Sequence, residues 1–202
     1  MNICVFGDSI AWGSCAKRGW VDMLKEYFYI PGGEEMQYTI FNLGIAANTS
    51  REILKRINKE AGARAPDMII ISIGINDAAF DHSKNEHWVS LKQYRKNLLK
   101  IIKVAQECAK KAIFIGLHII DDSRADPAVF DKNLTYKTEY TKNYEKALEE
   151  VCVNHNIELI KTMDVFTKDD LFDGVHPNSQ GHEKLFNKIY PEVEKILKEI
   201  SN

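Results

Sequence analysis

The chain has 202 residues, of which 45% are hydrophobic and 28% charged, and this is typical of a soluble globular protein with a sizeable core. Its formal charge of -2 at pH 7 provides no basic surface, so nucleic-acid binding is not expected. No apolar run approaches the length of about 18 residues that a membrane span needs. The 4 cysteines have neither CxxC nor zinc-ligand spacing, and we expect free thiols in a reducing compartment.

The N-terminal residues do not resemble a signal peptide, because residues 1–6 already have the apolar pattern of a strand and no basic segment precedes it. A cytoplasmic location is therefore expected. No internal repeat, low-complexity tract or linker divides the sequence, which predicts one domain over residues 1–202.

Strand and helix signals alternate along the chain. In order, the predicted elements are a strand at 3–6, a helix at 20–28, a strand at 38–43, a helix at 50–58, a strand at 68–73, a helix at 90–109, a strand at 112–117, a helix at 140–155, a strand at 157–160 and a helix at 179–200. The strand segments are nearly continuous apolar runs, which is typical of strands buried on both faces of a parallel sheet. The pattern predicts an α/β fold with three layers, α/β/α, around a five-stranded parallel sheet.

The two least regular stretches are 78–89 and 119–138, and each follows the end of a predicted strand. In open α/β sheets, ligands bind beyond the carboxyl ends of the strands. We therefore expect both stretches to form walls of a pocket and to determine which substrate enters it.

The first motif with chemical potential is Gly7-Asp8-Ser9, directly after the first predicted strand. A serine at such a turn can expose its hydroxyl for nucleophilic chemistry. Two other interpretations remain open. Asp8 and Ser9 can simply cap a helix, or the turn can cradle a phosphate group, as turns at this place in open α/β sheets do.

The second motif is Asp173-Gly174-Val175-His176, near the end of the chain. A serine nucleophile needs a base for its proton and a carboxylate that orients the base. Asp173 and His176 can supply both groups from one loop, although Asp-Gly is also an ordinary turn former. The two residues lack enough further ligands for a metal site, so no metal is expected.

Two further polar segments follow the second and third predicted strands. Asn76 lies in Gly74-Ile75-Asn76-Asp77, and its side-chain amide can donate a hydrogen bond to an oxyanion. Segment 42–49 can add a backbone N–H to the same site. The alternative for Asn76 is a structural role in a turn.

In chain order the four motifs are 7–9, 42–49, 74–77 and 173–176, each after a predicted strand, and together they resemble the SGNH hydrolase family, also called GDSL lipases or acylhydrolases. The resemblance spans nearly the whole chain. It implies a flavodoxin-like sheet with strand order 2-1-3-4-5. It also implies that Ser9 is the nucleophile, His176 its base and Asp173 the carboxylate that orients the base.

The same resemblance implies an oxyanion hole made by the Ser9 backbone N–H, the Asn76 amide and a backbone N–H of segment 42–49. The sequence departs from the family there, because Ala46-Ala47 occupies the place of the usual Ser-Gly pair. The third donor is then Ala47, and its N–H remains available if its φ is negative. Gly44 is expected to be a packing glycine.

Further residues near these motifs are candidates for substrate contact. They are Asp8, Trp12, Gly44 and His118, the last standing in the sequence His118-Ile119 where many relatives have a Thr-Pro pair. Cys15, six residues after the nucleophile, is expected to be a buried packing thiol.

The predicted function is hydrolysis of a small-molecule carboxylic ester through an acyl-enzyme, with no metal and no organic cofactor. Carbohydrate O-deacetylase, thioesterase and lysophospholipase activities use the same triad and remain open, as do the acyl length, the alcohol and the oligomeric state. Two alternatives from other classes are a phosphate- or nucleotide-binding module with a flavodoxin-like fold, and a degenerate hydrolase scaffold used for binding.

Overall fold

The computed structural model describes residues 1–29 and 38–201. Its strands are, in chain order, β1 (Asn2–Gly7), β2 (Thr39–Gly44), β3 (Met68–Ser72), β4 (Phe80–Asp81), β5 (Glu86–His87), β6 (Lys111–Ile115), β7 (Leu134–Thr135) and β8 (Glu158–Ile160). The five longer strands form a parallel sheet in the order β2-β1-β3-β6-β8. Counted along the chain, these are the second, first, third, fourth and fifth strands of that sheet, so the predicted order 2-1-3-4-5 is confirmed.

Helices cover both faces of the sheet. They are α1 (Ser9–Trp12), α2 (Trp20–Tyr27), α3 (Ser50–Gly62), α4 (Leu91–Cys108), α5 (Asp122–Ala125), α6 (Thr138–Asn154) and α7 (Ser179–Ser201), with a short 3₁₀ helix at Lys168–Asp170. Helix α4 packs against both α3 and α6, and α2 packs against α7. The three-layer prediction is therefore confirmed. In the described ranges, no helix combines the length and the apolar character needed to cross a bilayer.

The central strand β3 shows why the apolar runs predicted the sheet. Its side chains at 68–71 are completely buried, because helices cover it on both faces and β1 and β6 pair with its two edges. Local signals place the helix starts equally well. Thr49 and Glu52 form a capping box at the start of α3, and Ser90 caps α4.

The stretches predicted to be least regular contain a second, antiparallel sheet in the order β5-β4-β7. Phe80 pairs with His87 on one side and with Thr135 on the other, so this sheet fastens segment 78–89 to segment 119–138. Strands of two residues have no measurable periodicity, which is why the sequence pattern did not reveal them.

A buried carboxylate lies where α6 packs against the end of β6. Glu145 is 6% exposed, and its Oε2 accepts a hydrogen bond of 2.7 Å from the Leu117 backbone N–H. Burial raises the pKa of Glu145 to about 7. The folded chain therefore holds a proton that the unfolded chain releases between the ordinary glutamate pKa and pH 7. The stability from this group is complete at low pH and is lost as the pH rises through about 7.

We expect Glu145→Gln to flatten the pH dependence of stability. The amide cannot ionise, so the variant should gain on the order of 1–3 kcal/mol relative to the parent between pH 5 and pH 8. Urea unfolding at both pH values measures the difference. Glu150→Gln, at an exposed position on the same helix, is the matched control and should keep the parent's pH dependence. Parallel pH curves for parent and Glu145→Gln would contradict the assignment.

Candidate functional site

Ser9 lies at the turn between β1 and α1. Asp8 caps the helix by accepting a 2.9 Å hydrogen bond from the Ile10 backbone N–H. The turn is tight, because a Cβ at Gly7 would lie 2.5 Å from the Ala11 Cβ and 2.6 Å from the Ser72 carbonyl oxygen. Only glycine allows this close approach of β1, α1 and β3. The turn presents the Ser9 side chain at the carboxyl end of the sheet.

A chain of hydrogen bonds joins Ser9, His176 and Asp173. The Ser9 Oγ is 2.9 Å from the His176 Nε2, and the His176 Nδ1 is 2.7 Å from the Asp173 Oδ2. The Asp173 carboxylate also accepts backbone N–H groups of Val175 at 3.0 Å and His176 at 2.8 Å. With Nδ1 donating to the carboxylate, the lone pair of Nε2 faces the serine hydroxyl.

The environment keeps the Asp173 carboxylate ionised. Partial burial alone would raise its pKa, but the hydrogen bonds from the His176 ring and backbone outweigh burial and hold the pKa below its ordinary value. An ionised carboxylate at this place favours the Nδ1–H tautomer of the ring and stabilises the imidazolium when it forms.

Arg124 holds the loop that carries Asp173 and His176. Its guanidinium donates to the backbone carbonyls of Phe172 at 3.1 Å and Lys168 at 2.7 Å, and is itself bound by the Asp121 carboxylate at 2.6 Å. The Asp121 N–H donates to the Gly174 carbonyl at 2.9 Å. Asp121 and Arg124 therefore fix the geometry of the loop from outside.

Asn76 lies beside Ser9 in an orientation set by two neighbours. Its Nδ2 donates to the Asn48 carbonyl at 3.0 Å, and its Oδ1 accepts from the Tyr136 hydroxyl at 3.2 Å. These contacts fix which end of the amide carries the donor. The second Nδ2 hydrogen has no partner among the described contacts, and Asn76 and Ser9 line the same pocket.

Asp77, which follows β3, binds the start of the preceding helix, α3. Its buried carboxylate accepts the backbone N–H of Ser50 at 3.0 Å and also binds the Ser50 hydroxyl. The Asn97 side chain donates to the same hydroxyl at 2.8 Å. The network joins the end of β3 to the start of α3, and so fixes segment 45–48 relative to Asn76. Burial raises the pKa of Asp77 to about 7.

Ala47 has a φ of 61°, in the left-handed region, so the condition of a negative φ set for this donor is not met, although the residue keeps its backbone N–H. The physical reason is the turn at 45–48, in which the Asn48 N–H donates to the Ile45 carbonyl at 3.2 Å. A left-handed residue with a Cβ costs roughly 1 kcal/mol, which explains why glycine suits this place.

The site opens into a pocket with a volume of about 390 Å³. One wall carries Ser9, Ala47, Asn76 and His176, and a second wall is formed by Trp88, Phe130, Leu134 and Tyr136. The Phe130 ring lies 5.4 Å from the His176 ring. The second wall comes from the two stretches that the sequence predicted as pocket walls, whereas its individual residues were not predicted. The only signal for them was the apolar and aromatic content of otherwise irregular loops.

The four predicted substrate-contact residues do not line this pocket. Asp8 and His118 are 2% and 3% exposed and border a separate small cavity beneath the serine turn. Trp12 is 59% exposed but lies outside the pocket lining. Gly44 packs against α1, where an added Cβ would lie 2.3 Å from the Trp12 backbone nitrogen, so its predicted packing role is confirmed.

Burial shifts the pKa values of Asp8 and His118, the two residues beneath the serine. It raises the pKa of Asp8 to about 6 and lowers the pKa of His118 to about 4. Cys15 was expected to be buried as well, but its side chain is exposed because it lies on the turn after α1, at a φ of 65°.

Similar proteins are esterases. An acetylxylan esterase from Geobacillus stearothermophilus is 25% identical over 166 residues, which cover 79% of this chain and 74% of that protein. Esterase TesA from Pseudomonas aeruginosa is 21% identical over 202 residues, which cover 97% of this chain and 89% of that protein. A crystal structure of the acetylxylan esterase has a TM-score of 0.74 to this structure, with 22% identity, and covers 95% of this chain and 93% of its own.

The GDSL-like lipase/acylhydrolase family model matches residues 5–184. This range contains all four motifs at the carboxyl ends of the strands, with Ser9 and His176 near its two ends. The chain is therefore a serine ester hydrolase and belongs to the GDSL-like lipase/acylhydrolase family.

Proposed function

We propose that Ser9 is the nucleophile of this hydrolase, His176 its general base and Asp173 the carboxylate that orients the base. The observation that carries the proposal is the hydrogen-bond chain from Ser9 through His176 to Asp173, which opens into the pocket beside Asn76. Asp173 is paired only within this loop, by the His176 ring and by two backbone N–H groups among the described contacts.

The reaction follows from this geometry. His176 Nε2 takes the hydroxyl proton as the Ser9 Oγ attacks the ester carbonyl, and the carbonyl oxygen becomes an oxyanion. The Asn76 amide and the backbone N–H groups of Ser9 and Ala47 donate to this oxyanion. The imidazolium then protonates the departing alcohol, and an acyl-Ser9 remains. Water repeats the sequence, releases the acid and returns the proton to Ser9.

The substrate is a small-molecule ester that fits a pocket of about 390 Å³ with an aromatic wall. A carbohydrate acetate is the second candidate, because the 25% identical relative is an acetylxylan esterase and two aromatic residues against which a sugar ring can pack, Trp88 and Phe130, line the pocket. A p-nitrophenyl ester chain-length series, run beside acetylated xylooligosaccharides and an acyl thioester, separates these substrates.

The proposed setting is cytoplasmic, with residues 1–202 acting as one domain and without a nucleic-acid partner. The four cysteines, all free thiols, support a reducing compartment. The net charge of -2 supports the absence of nucleic acid.

We expect Ser9→Ala and His176→Ala each to lower kcat by at least about 10³-fold, and the double variant to be little worse than either, because the groups act as one unit. Initial rates on p-nitrophenyl acetate measure kcat. A fluorophosphonate probe should label the parent and not Ser9→Ala. His82→Ala, at an exposed position, is the control and should stay active. Labelling of a folded Ser9→Ala variant, or independent and additive losses, would contradict the roles.

The Asn76 donor is tested together with Tyr136, whose hydroxyl orients the amide. Asn76→Ala should lower kcat by on the order of 10²–10³-fold with a smaller change in KM, since the donor serves the transition state. Tyr136→Phe removes one hydroxyl from the pocket wall, and should lower kcat by about 3–10-fold, as expected for one hydrogen bond. In the Asn76→Ala background Tyr136→Phe should have no further effect on kcat. An undiminished effect there would show that Tyr136 acts independently of Asn76.

Ala47→Gly should leave kcat within about twofold of the parent, because the proposed donor is a backbone N–H. The same change should raise the free energy of unfolding by roughly 0.5–1 kcal/mol, since glycine adopts a φ of 61° without strain. Kinetics and urea unfolding measure the two effects. Ala46→Gly, at the neighbouring position without a positive φ, is the control and should lower stability. A large loss of kcat in Ala47→Gly would contradict the backbone role.

A further inference from the structure

A third metal-binding side chain lies beside the proposed triad. The ligand atoms of Cys15, Asp173 and His176 all lie within 4.8 Å of one another. Sequence analysis found too few further ligands near Asp173 and His176 for a metal site, because Cys15 is more than 150 positions away along the chain. The fold brings its thiol to them, and the three donors are sulfur, oxygen and imidazole nitrogen, the set that Zn²⁺ accepts.

The backbone on either side of this cluster is well fixed. The Ser14 N–H donates to the Ser9 carbonyl at 2.9 Å, and the buried His182 ring lies 3.2 Å from the Ser14 carbonyl, where its Nε2 can donate. The thiol thus projects from an anchored turn while remaining exposed to solvent. A metal ion can reach it from outside without any rearrangement of the core.

A redox role explains the thiol less well. Partial burial and the Asp173 carboxylate both raise the pKa of Cys15, whereas thiols that act in redox sensing have lowered pKa values. The nearest groups are ligands rather than a second cysteine, and no other thiol belongs to this cluster among the described residues.

We propose that Cys15, Asp173 and His176 form an inhibitory binding site for Zn²⁺ and similar thiophilic divalent cations. In a tetrahedral zinc site, neighbouring donor atoms lie about 3.3–3.6 Å apart. From separations within 4.8 Å, reaching that spacing requires rotation of the exposed Cys15 side chain and a small shift of the carboxylate. A solvent water completes the coordination.

The ion inhibits whichever nitrogen of His176 it binds. Ligation at Nε2 removes the acceptor of the Ser9 proton, and ligation at Nδ1 displaces the hydrogen bond to Asp173. Inhibition rests on the proposed function of His176, whereas binding of the ion does not. The enzyme would respond to free thiophilic cations in its compartment and recover when a chelator removes them.

The inhibition is tested with the full chain after treatment with EDTA. Zn²⁺ should inhibit p-nitrophenyl acetate hydrolysis by the parent, and excess EDTA should restore it. Cys15→Ser should keep the basal rate within about twofold and should require at least about 10-fold more Zn²⁺ for half inhibition, because one of three ligands is lost. Cys15→Ala serves as a second variant if the serine variant folds poorly. Cys108→Ser, at the last residue of α4, whose thiol contacts Asn58, is the control and should behave like the parent.

A binding measurement separates this proposal from the proposed function. Co²⁺ added to the parent, to Cys108→Ser and to the inactive Ser9→Ala should produce thiolate-to-cobalt charge-transfer absorption in the near ultraviolet. Cys15→Ser should not produce it. If this absorption appears but the parent hydrolyses no ester, the proposed function fails and the metal site stands. If the parent is active and Zn²⁺ inhibits Cys15→Ser as strongly as the parent, or no concentration below the millimolar range inhibits either, the metal site is overturned.

Discussion

The hydrogen bond between the Ser9 hydroxyl and the His176 ring joins residues 167 positions apart, and most of the fold is needed to make it. Ser9 depends on β1, which must lie next to β3 for the Gly7 turn to reach the Ser72 carbonyl. His176 depends on the loop before α7, which Arg124 and Asp121 hold from the end of the fourth strand of the sheet. The 2.9 Å distance therefore results from the strand order, the tight turn at Gly7 and the hydrogen bonds of Arg124 and Asp121 to the His176 loop.

The cost of fixing this site appears in buried carboxyl groups. Asp8 and Asp77 lie under or beside the pocket, and burial raises the pKa of both. Each has a positional task, since Asp8 caps the helix that begins with Ser9 and Asp77 joins the end of β3 to the start of α3. Polar groups hold these turns in place because a hydrogen bond to one particular backbone N–H is directional, whereas apolar packing is not. Because the pKa values of these buried carboxyl groups are raised, they lower the free energy of unfolding at neutral pH, while their hydrogen bonds hold the turns in place.

The sequence predicted those parts of the molecule that local pattern controls. Apolar runs predicted the five strands, the helix predicted from residue 50 begins at Ser50, and the spacing of Asp173 and His176 suggested a triad that the geometry accommodates. It could not predict the β5-β4-β7 sheet. Its two-residue strands form only because the fold brings Phe80 between His87 and Thr135. The left-handed φ of Ala47 was missed for a related reason, because alanine gives no sign that a turn requires it. Proximity to a motif was also a poor guide to substrate contact, since Asp8 and His118 adjoin the site from beneath, inside the protein.

The position of Cys15 shows how one exposed side chain changes the chemistry open to a triad. A carboxylate and an imidazole are two of the three protein ligands of many zinc sites. Their mutual hydrogen bond is displaced when a third ligand makes metal binding more favourable. Most neighbours of Asp173 and His176 cannot act as a third metal ligand. The Phe130 ring lies against one side of the imidazole, and Arg124 and Gly174 pack on the outer side of the loop. The turn after α1 is the exception, since it places a thiol at the remaining open edge. A serine or alanine at position 15 would preserve every described contact of Ser9, Asp173 and His176 with one another, so the thiol is not needed for the proposed ester hydrolysis. What it adds is affinity for an ion that competes for the imidazole on which that hydrolysis depends.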